Sequence, residues 1–235
     1  MAAEISLARS VLVMVRWLLG MGLVSWRYLW QITPLHRSEE LGDATDLPAA
    51  VPEDLLDEQC QLVDDGVGPL FHRRFSVRIE GHESDGPRLM AALTHDLNRA
   101  APTEVATFDR TCGRRGGVRV GDEFVVRMPG PWNGPVRVIS RDPASFRLAT
   151  LRGHLEAGQI EFRIRPEDDA LRFEIETWAR PSTRLVHVLY TRLRLAKEMQ
   201  LNMWTRFCLQ VATLAGGRAR GGVHIRTRYC TDRAS

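Results

Sequence analysis

Apolar and polar positions alternate most strictly in "FHRRFSVRI", residues 71 to 79. Phe71, Phe75, Val77 and Ile79 take odd positions there, and His72, Arg74, Ser76 and Arg78 take even ones. A period of two marks a half-buried strand. "GPRLMAALTHDLNRAAP" follows and reads as a short helix, with Pro87 at its start and Pro102 beyond its end. From Gly117 the chain alternates strands and turns: "VRVGDEFVVRM", "VRVIS", "SFRLATLRG", "QIEFRIR" and "LRFEIETWAR". The last two predict a hairpin across "PEDD". Ile160, Phe162 and Ile164 share one face of its first strand, and Leu171, Phe173, Ile175 and Thr177 share one face of its second, leaving Glu161, Arg163, Arg172, Glu174 and Glu176 toward solvent.

After Pro181 the period changes. Leu185, Leu189, Leu193, Ala196, Met203, Phe207, Val211 and Leu214 fall within an arc of about 80° on a helix. This predicts a long amphipathic helix over residues 183–214, stopped by Gly216-Gly217. One helix covering the apolar face of a run of antiparallel strands is an α+β layer fold. If the sheet curves around the helix, the arrangement is a helix-grip with a cavity between the layers. The expected organisation is therefore an N-terminal helix over 1–32, an acidic, Pro-containing linker over 33–66, a helix-grip domain over 67–217, and a basic tail over 218–235 with a short strand at His224 to Tyr229.

The N-terminal segment contains "MVRWLLGMGLVSWRYLW", residues 14 to 30. A membrane span needs about 20 consecutive apolar residues, and Arg16 interrupts this run at a cost of roughly 2.5–3.5 kcal/mol. On a helix, Arg9, Arg16 and Arg27 form one stripe, and Trp17, Trp26 and Trp30 belong to the apolar remainder. That pattern fits docking on the domain or on a partner protein, or lying at a membrane surface. No signal-peptide cleavage pattern follows the run.

Composition changes the picture little. In 235 residues, 32 Lys and Arg against 29 Asp and Glu leave a net charge of +3, too mild to imply specific nucleic-acid binding. Cys60, Cys112, Cys208 and Cys230 are scattered without metal-ligand spacing, which argues against a zinc motif and fits a reducing compartment, although an even count does not exclude disulfides. No P-loop, GxSxG, HExxH or dinucleotide fingerprint is present, and no cofactor is expected.

Candidate chemistry is confined to a few places. "MPGPWNGP" holds Trp132 and Asn133 at a rigid turn that could close a cavity mouth, or simply plug the sheet end. "GHLEAG", residues 153 to 158, holds His154 and Glu156, which could act as an acid/base pair, although solvated loop residues are the plainer reading. Gln200 interrupts the apolar stripe of the long helix, as a backbone-bonded amide or as a polar anchor in a cavity. Glu174 and Glu176 share the solvent face with arginines and are not read as catalytic, and His72 and His95 read as surface or boundary residues. By periodicity, Phe124, Met128, Phe162, Phe173, Met203 and Phe207 are expected to line a cavity.

"DGVGPLFHRRFSVRI", "APTEVATFDR", "VGDEFVVRMPGPWNGPVRV", "FRLATLRGHLEAGQIEF", "FEIETWAR" and "RLAKEMQLNMWTRF" together resemble the family called domain of unknown function nineteen-ninety, over about Trp17 to Gly217. "SWRYLWQITPLHR" looks like the extension carried by some bacterial members. The element order and "VGDEFVVRMPG" are in turn similar to the SRPBCC or START-like helix-grip superfamily, which includes lipid carriers, the birch-pollen allergen type and polyketide cyclases. That resemblance implies an apolar cavity and a small apolar ligand or lipid, but no catalytic residues. Three functions are expected in order: a binding protein without enzymatic activity; a cyclase- or aromatase-like enzyme using His154 and Glu156; and a membrane-surface or partner-docking scaffold acting through residues 4–31. The location expected is cytoplasmic, with a peripheral position at the inner face of the membrane under the third.

Overall fold

The computed structural model describes residues 34–104, 106–128, 133–183 and 195–230, with 195–199 in their backbone alone. The segment expected to form an N-terminal helix, with Arg9, Arg16, Trp17, Trp26, Arg27 and Trp30, lies outside the described residues. So do Trp132 and the part of the long helix that would carry Leu185, Leu189 and Leu193. Among the described residues no helix is long and apolar enough to cross a membrane.

The strands are β1 (Leu35–Leu41), β2 (Leu70–Glu80), β3 (Thr107–Cys112), β4 (Glu123–Arg127), β5 (Asn133–Asp142), β6 (Ser145–Thr150), β7 (Glu156–Glu167), β8 (Ala170–Pro181) and β9 (Arg218–Cys230). They form one sheet in the order β1-β9-β2-β8-β7-β6-β5-β4-β3. Neighbours pair antiparallel except β1 with β9, which run parallel. The sheet is therefore mixed rather than wholly antiparallel. It curves around a helix, α2 (Leu195–Leu214), in the helix-grip arrangement, and the shorter α1 (Gly86–His95) packs on β7 and on α2.

Local chemistry accounts for these elements. Asp85 caps α1 by accepting the Arg88 N–H at 2.8 Å, Pro87 stands in its first turn, and Leu89, Met90 and Leu93 are buried on its inner face. The turn between β7 and β8 is Asp168-Asp169, with Asp168 at φ 53°. Helix α2 ends where Gly216 takes φ 73°, its N–H on Thr213 O and the Gly217 N–H on Ala212 O, satisfying carbonyls the helix leaves open.

The core lies between α2 and the concave face. Phe146 stacks on Phe162 at 4.5 Å between ring centroids; Trp204 and Phe207 meet Phe162 edge-on or tilted, and Phe173 stacks on Phe207. Each of these rings is buried, and burial of a large apolar side chain contributes about 1.5–3 kcal/mol. On α2 the buried set, including Leu201, Trp204 and Cys208 besides Met203, Phe207 and Val211, is wider than a one-face stripe. The helix is covered by α1 as well as by the sheet.

Three segments depart from expectation. The stretch read as a linker supplies edge strand β1 and three 3-10 turns at Ala44–Asp46, Glu53–Leu55 and Val63–Asp65. The stretch read as a basic tail supplies β9, an interior strand that pairs with β2 from Leu70 to Glu80. Glu174 and Glu176 sit on the convex face as predicted, yet they are 8% and 5% exposed, because that face is covered rather than wetted.

Part of this cover is an ionic clasp. His72 on β2 lies between two carboxylates, Nδ1 at 2.7 Å from Asp46 Oδ1 and Nε2 at 2.7 Å from Glu176 Oε1. Carboxylates only accept, so the imidazolium form satisfies both. Arg74 donates to the same Glu176 oxygen at 2.6 Å, and Arg228 on β9 donates to Asp46 at 2.8 Å. The His72 ring also stacks on Trp178 at 5.3 Å. The clasp thus ties the first 3-10 turn to β2, β8 and β9. Burial alone would raise the Glu176 carboxyl, but the hydrogen bonds from His72 and Arg74, with their charges, outweigh it and hold the pKa at about 2.

A carboxyl depressed in the folded state stabilises it above the unfolded pKa, and that contribution is lost as pH falls toward the folded one. Stability in urea titrations should therefore drop between about pH 4.5 and 2, with Glu176 supplying on the order of 3 kcal/mol of the change. E176Q should lower stability at neutral pH and flatten that acid limb; an unchanged limb would contradict the clasp.

Candidate functional site

Beneath α2, beside the aromatic core, the two layers leave a cavity of about 90 Å³. Its sheet wall is apolar: Phe108 from β3, Val126 from β4, Met128 just after it, Val136 from β5, Leu148 from β6 and Ile160 from β7. The helix contributes Met203 and Trp204. Polar side chains gather where the β6–β7 connection meets the helix: His154, Glu156 and Gln200, with Thr177 on β8 and Thr150 on β6.

Each of these is positioned by a traceable contact. Gln200 donates from Nε2 to Glu156 Oε2 at 2.9 Å and accepts on Oε1 from Arg73 Nη1. A chain Arg73–Gln200–Glu156 therefore crosses from β2 through the helix to the first residue of β7. The β6–β7 connection is held from outside by the segment read as a linker: Gln61 Nε2 donates to the carbonyls of His154 (2.9 Å) and Glu156 (2.8 Å). Gln61 N–H donates to Thr150 O, and Thr150 Oγ1 returns a bond to Gln61 O at 2.6 Å. The His154 ring meets the Glu156 backbone through Nδ1, which lies 2.9 Å from the Glu156 N and 3.1 Å from its carbonyl oxygen. Burial pushes the His154 pKa down, against the opposing pull of the Glu156 charge, so the neutral ring is the form to expect. A Cβ on Gly134 would come 2.9 Å from His154 Nε2, so the glycine gives the ring its place.

The structure brings together some of the residues expected from sequence and not others. Met128, Gln200 and Met203 line the cavity. His154 and Glu156, read as solvated loop residues, line it too and are half-buried. Phe162, Phe173 and Phe207 do not line it, because they pack into one another in the core. Phe124 faces a separate recess behind β3, with the Arg110 guanidinium 4.8 Å above its ring. Asn133 is exposed at the start of β5. Sequence reasoning missed Gln61 and Arg73. Gln61 gave no signal, but Arg73 did, since it stands at an odd position of an otherwise apolar strand face. Among the described residues no cluster of His, Cys, Asp and Glu could hold a metal ion.

A curved sheet gripping one long helix over an internal cavity defines a helix-grip domain. The chain belongs to the family described as Domain of unknown function (DUF1990), whose model matches residues 72–210. Among curated proteins none matches by sequence. Solved structures of similar arrangement include hypothetical protein jhp0584 from Helicobacter pylori (10% identity, 72% of this chain and 97% of that one, TM-score 0.45). A major latex-like protein from Panax ginseng matches at 13% identity over 61% of this chain and 97% of that one, with a TM-score of 0.41. The di-domain ARO/CYC StfQ of the steffimycin biosynthetic pathway matches at 10% identity over 66% of this chain and 52% of that one, with a TM-score of 0.46.

The ring geometry is open to direct measurement. An NMR titration of His154 should give a midpoint below the ordinary 6.5. G134A should displace the ring and move that midpoint, whereas a wild-type midpoint above 6.5 would contradict the buried, Nδ1-bonded ring.

Proposed function

We propose that this chain is a binding protein that holds one small, largely apolar molecule between the concave sheet and α2, with the polar group of that molecule at the Glu156–Gln200 end. The observation that carries this reading is the cavity itself: apolar walls from strands β3 to β7, a helix for a roof, and hydrogen-bonding side chains gathered at one end. Ligand sites are commonly built this way, with a few placed polar groups fixing orientation in an apolar space. A water needs roughly 10–15 Å³ by the same kind of measure, so about 90 Å³ suits a compact molecule better than a long lipid chain.

A second reading, an enzyme of the cyclase or aromatase kind, is favoured by one observation: His154 and Glu156 line the same cavity. In that reading Glu156 is the base and His154 the hydrogen-bond donor to a developing enolate.

Native mass spectrometry of the full chain, with thermal unfolding in the presence of hexanol or a short methyl ketone, tests the first reading. Small apolar compounds should raise the melting temperature, and a bulky Met203→Trp substitution that occupies the cavity should abolish the rise. Absence of any bound compound and of any rise would overturn it. Deuterium exchange next to the carbonyl of the ketone in heavy water, lost in E156Q, would establish the second; its absence leaves binding alone.

A further inference from the structure

Arg73 breaks the alternation of β2, and its burial is the hardest feature of the concave face to account for. Its side chain is 1% exposed and lies on the same face as Phe75 and Val77. The guanidinium donates through Nη1 to Gln200 and sits 4.9 Å from the centre of the Phe71 ring. Nε and Nη2 are buried and have no hydrogen-bond partner, and no carboxylate among the described residues pairs with the group. A buried cation without a counter-charge is strongly unfavourable. The two unpartnered nitrogens share one edge of the planar group, where their N–H bonds run parallel. That fork matches the two oxygens of a carboxylate.

Arg73 is not itself a lining residue; it stands directly behind two that are, Gln200, which it holds, and Thr177, opposite it on β8, so its Nε–Nη2 edge meets a ligand only when that part of the wall yields. A second observation points the same way. Trp204 lines the cavity, is 6% exposed, and its Nε1 has no partner. Both are donors. The unpartnered acceptor on a lining residue, Gln159 Oε1, belongs to an amide bound to Ala49 O on the covering segment, outside the cavity. The ligand must therefore bring an acceptor, and the guanidinium makes an anion the best one. One guanidinium supplies a single positive charge, and Glu156 already places a negative charge at this end, so a monoanion suits it better than a phosphate dianion.

Resting on the reading of the cavity as a ligand site, we propose that it selects a small apolar carboxylic acid. The acid binds as its carboxylate on the Nε–Nη2 edge of Arg73, with its hydrocarbon body against Met203, Trp204 and the strands.

Calorimetric titration of the full chain near neutral pH with hexanoate, octanoate and decanoate, and with the alcohols and amides of equal length, tests this. At least one carboxylate should bind about tenfold or more tightly than its alcohol and its amide. R73M should lose that preference while keeping affinity for the alcohol. Should R73M not fold, the amide comparison in the wild-type chain decides alone, because the amide has the shape of the acid without its charge. Equal affinity for acid, alcohol and amide, or an acid preference that survives in R73M, would overturn the proposal and leave the cavity reading standing. Failure of all three to bind would remove both.

Discussion

A single helix laid across a curved sheet cannot fill the whole volume beneath it, and much of this protein follows from how that shortfall is handled. Over the middle of the sheet the deficit is closed by large rings: Phe146, Phe162, Phe173, Trp204 and Phe207 stack into one aromatic block. Beside that block, Val126, Val136 and Leu148 present smaller inward side chains, and the helix presents Met203 and Trp204 over them. Interiors pack at crystal-like density, so a space bounded by such residues is a feature that the side-chain sizes create. The cavity and the core are two outcomes of one packing problem.

The polar end of that cavity is assembled from distant parts of the chain. Arg73 comes from the second strand, Gln200 from the helix, His154 from the connection before β7 and Glu156 from the start of β7. Gln61 fixes that connection through two backbone carbonyls. The segment around Gln61 is itself secured on the convex side, where Cys60 forms a bridge to Leu151 and Arg137 pairs with Asp57 at 2.8 Å. Farther along, the His72 clasp holds the turn at Asp46. The convex cover and the concave site are thereby coupled: what looks like a wrapping segment sets the position of two cavity side chains.

Strands whose outward and inward residues differ sharply were legible from alternation, including β2, β7 and β8, and so was the stop of α2 at paired glycines. The edge strand β1 was not, because "LHRSEEL" is exposed along most of its length and its pairing depends on β9. In β9 itself, Val223, Ile225 and Thr227 alternate with His224, Arg226 and Arg228, but Gly221, Gly222 and the register shift at Val77/Arg78 hide the period in its first half. Burial of Glu176 could not be read from its own strand, since the side chains against it come from His72 and Arg74 on β2. Within the site, Gln200 and Arg73 each interrupt an apolar stripe, and such interruptions are the legible trace of a polar function inside a core. The phenylalanines expected at the cavity share its face but occupy the neighbouring block, because periodicity assigns a side and not a position along it.

The most direct measurement of this account is a crystal structure of the full chain under xenon, which enters dry apolar cavities and little else. Xenon density is expected beneath α2, in contact with Met203, Trp204, Val126 and Leu148. Side chains closed over that space, with xenon absent from it, would contradict the cavity on which the functional reading rests.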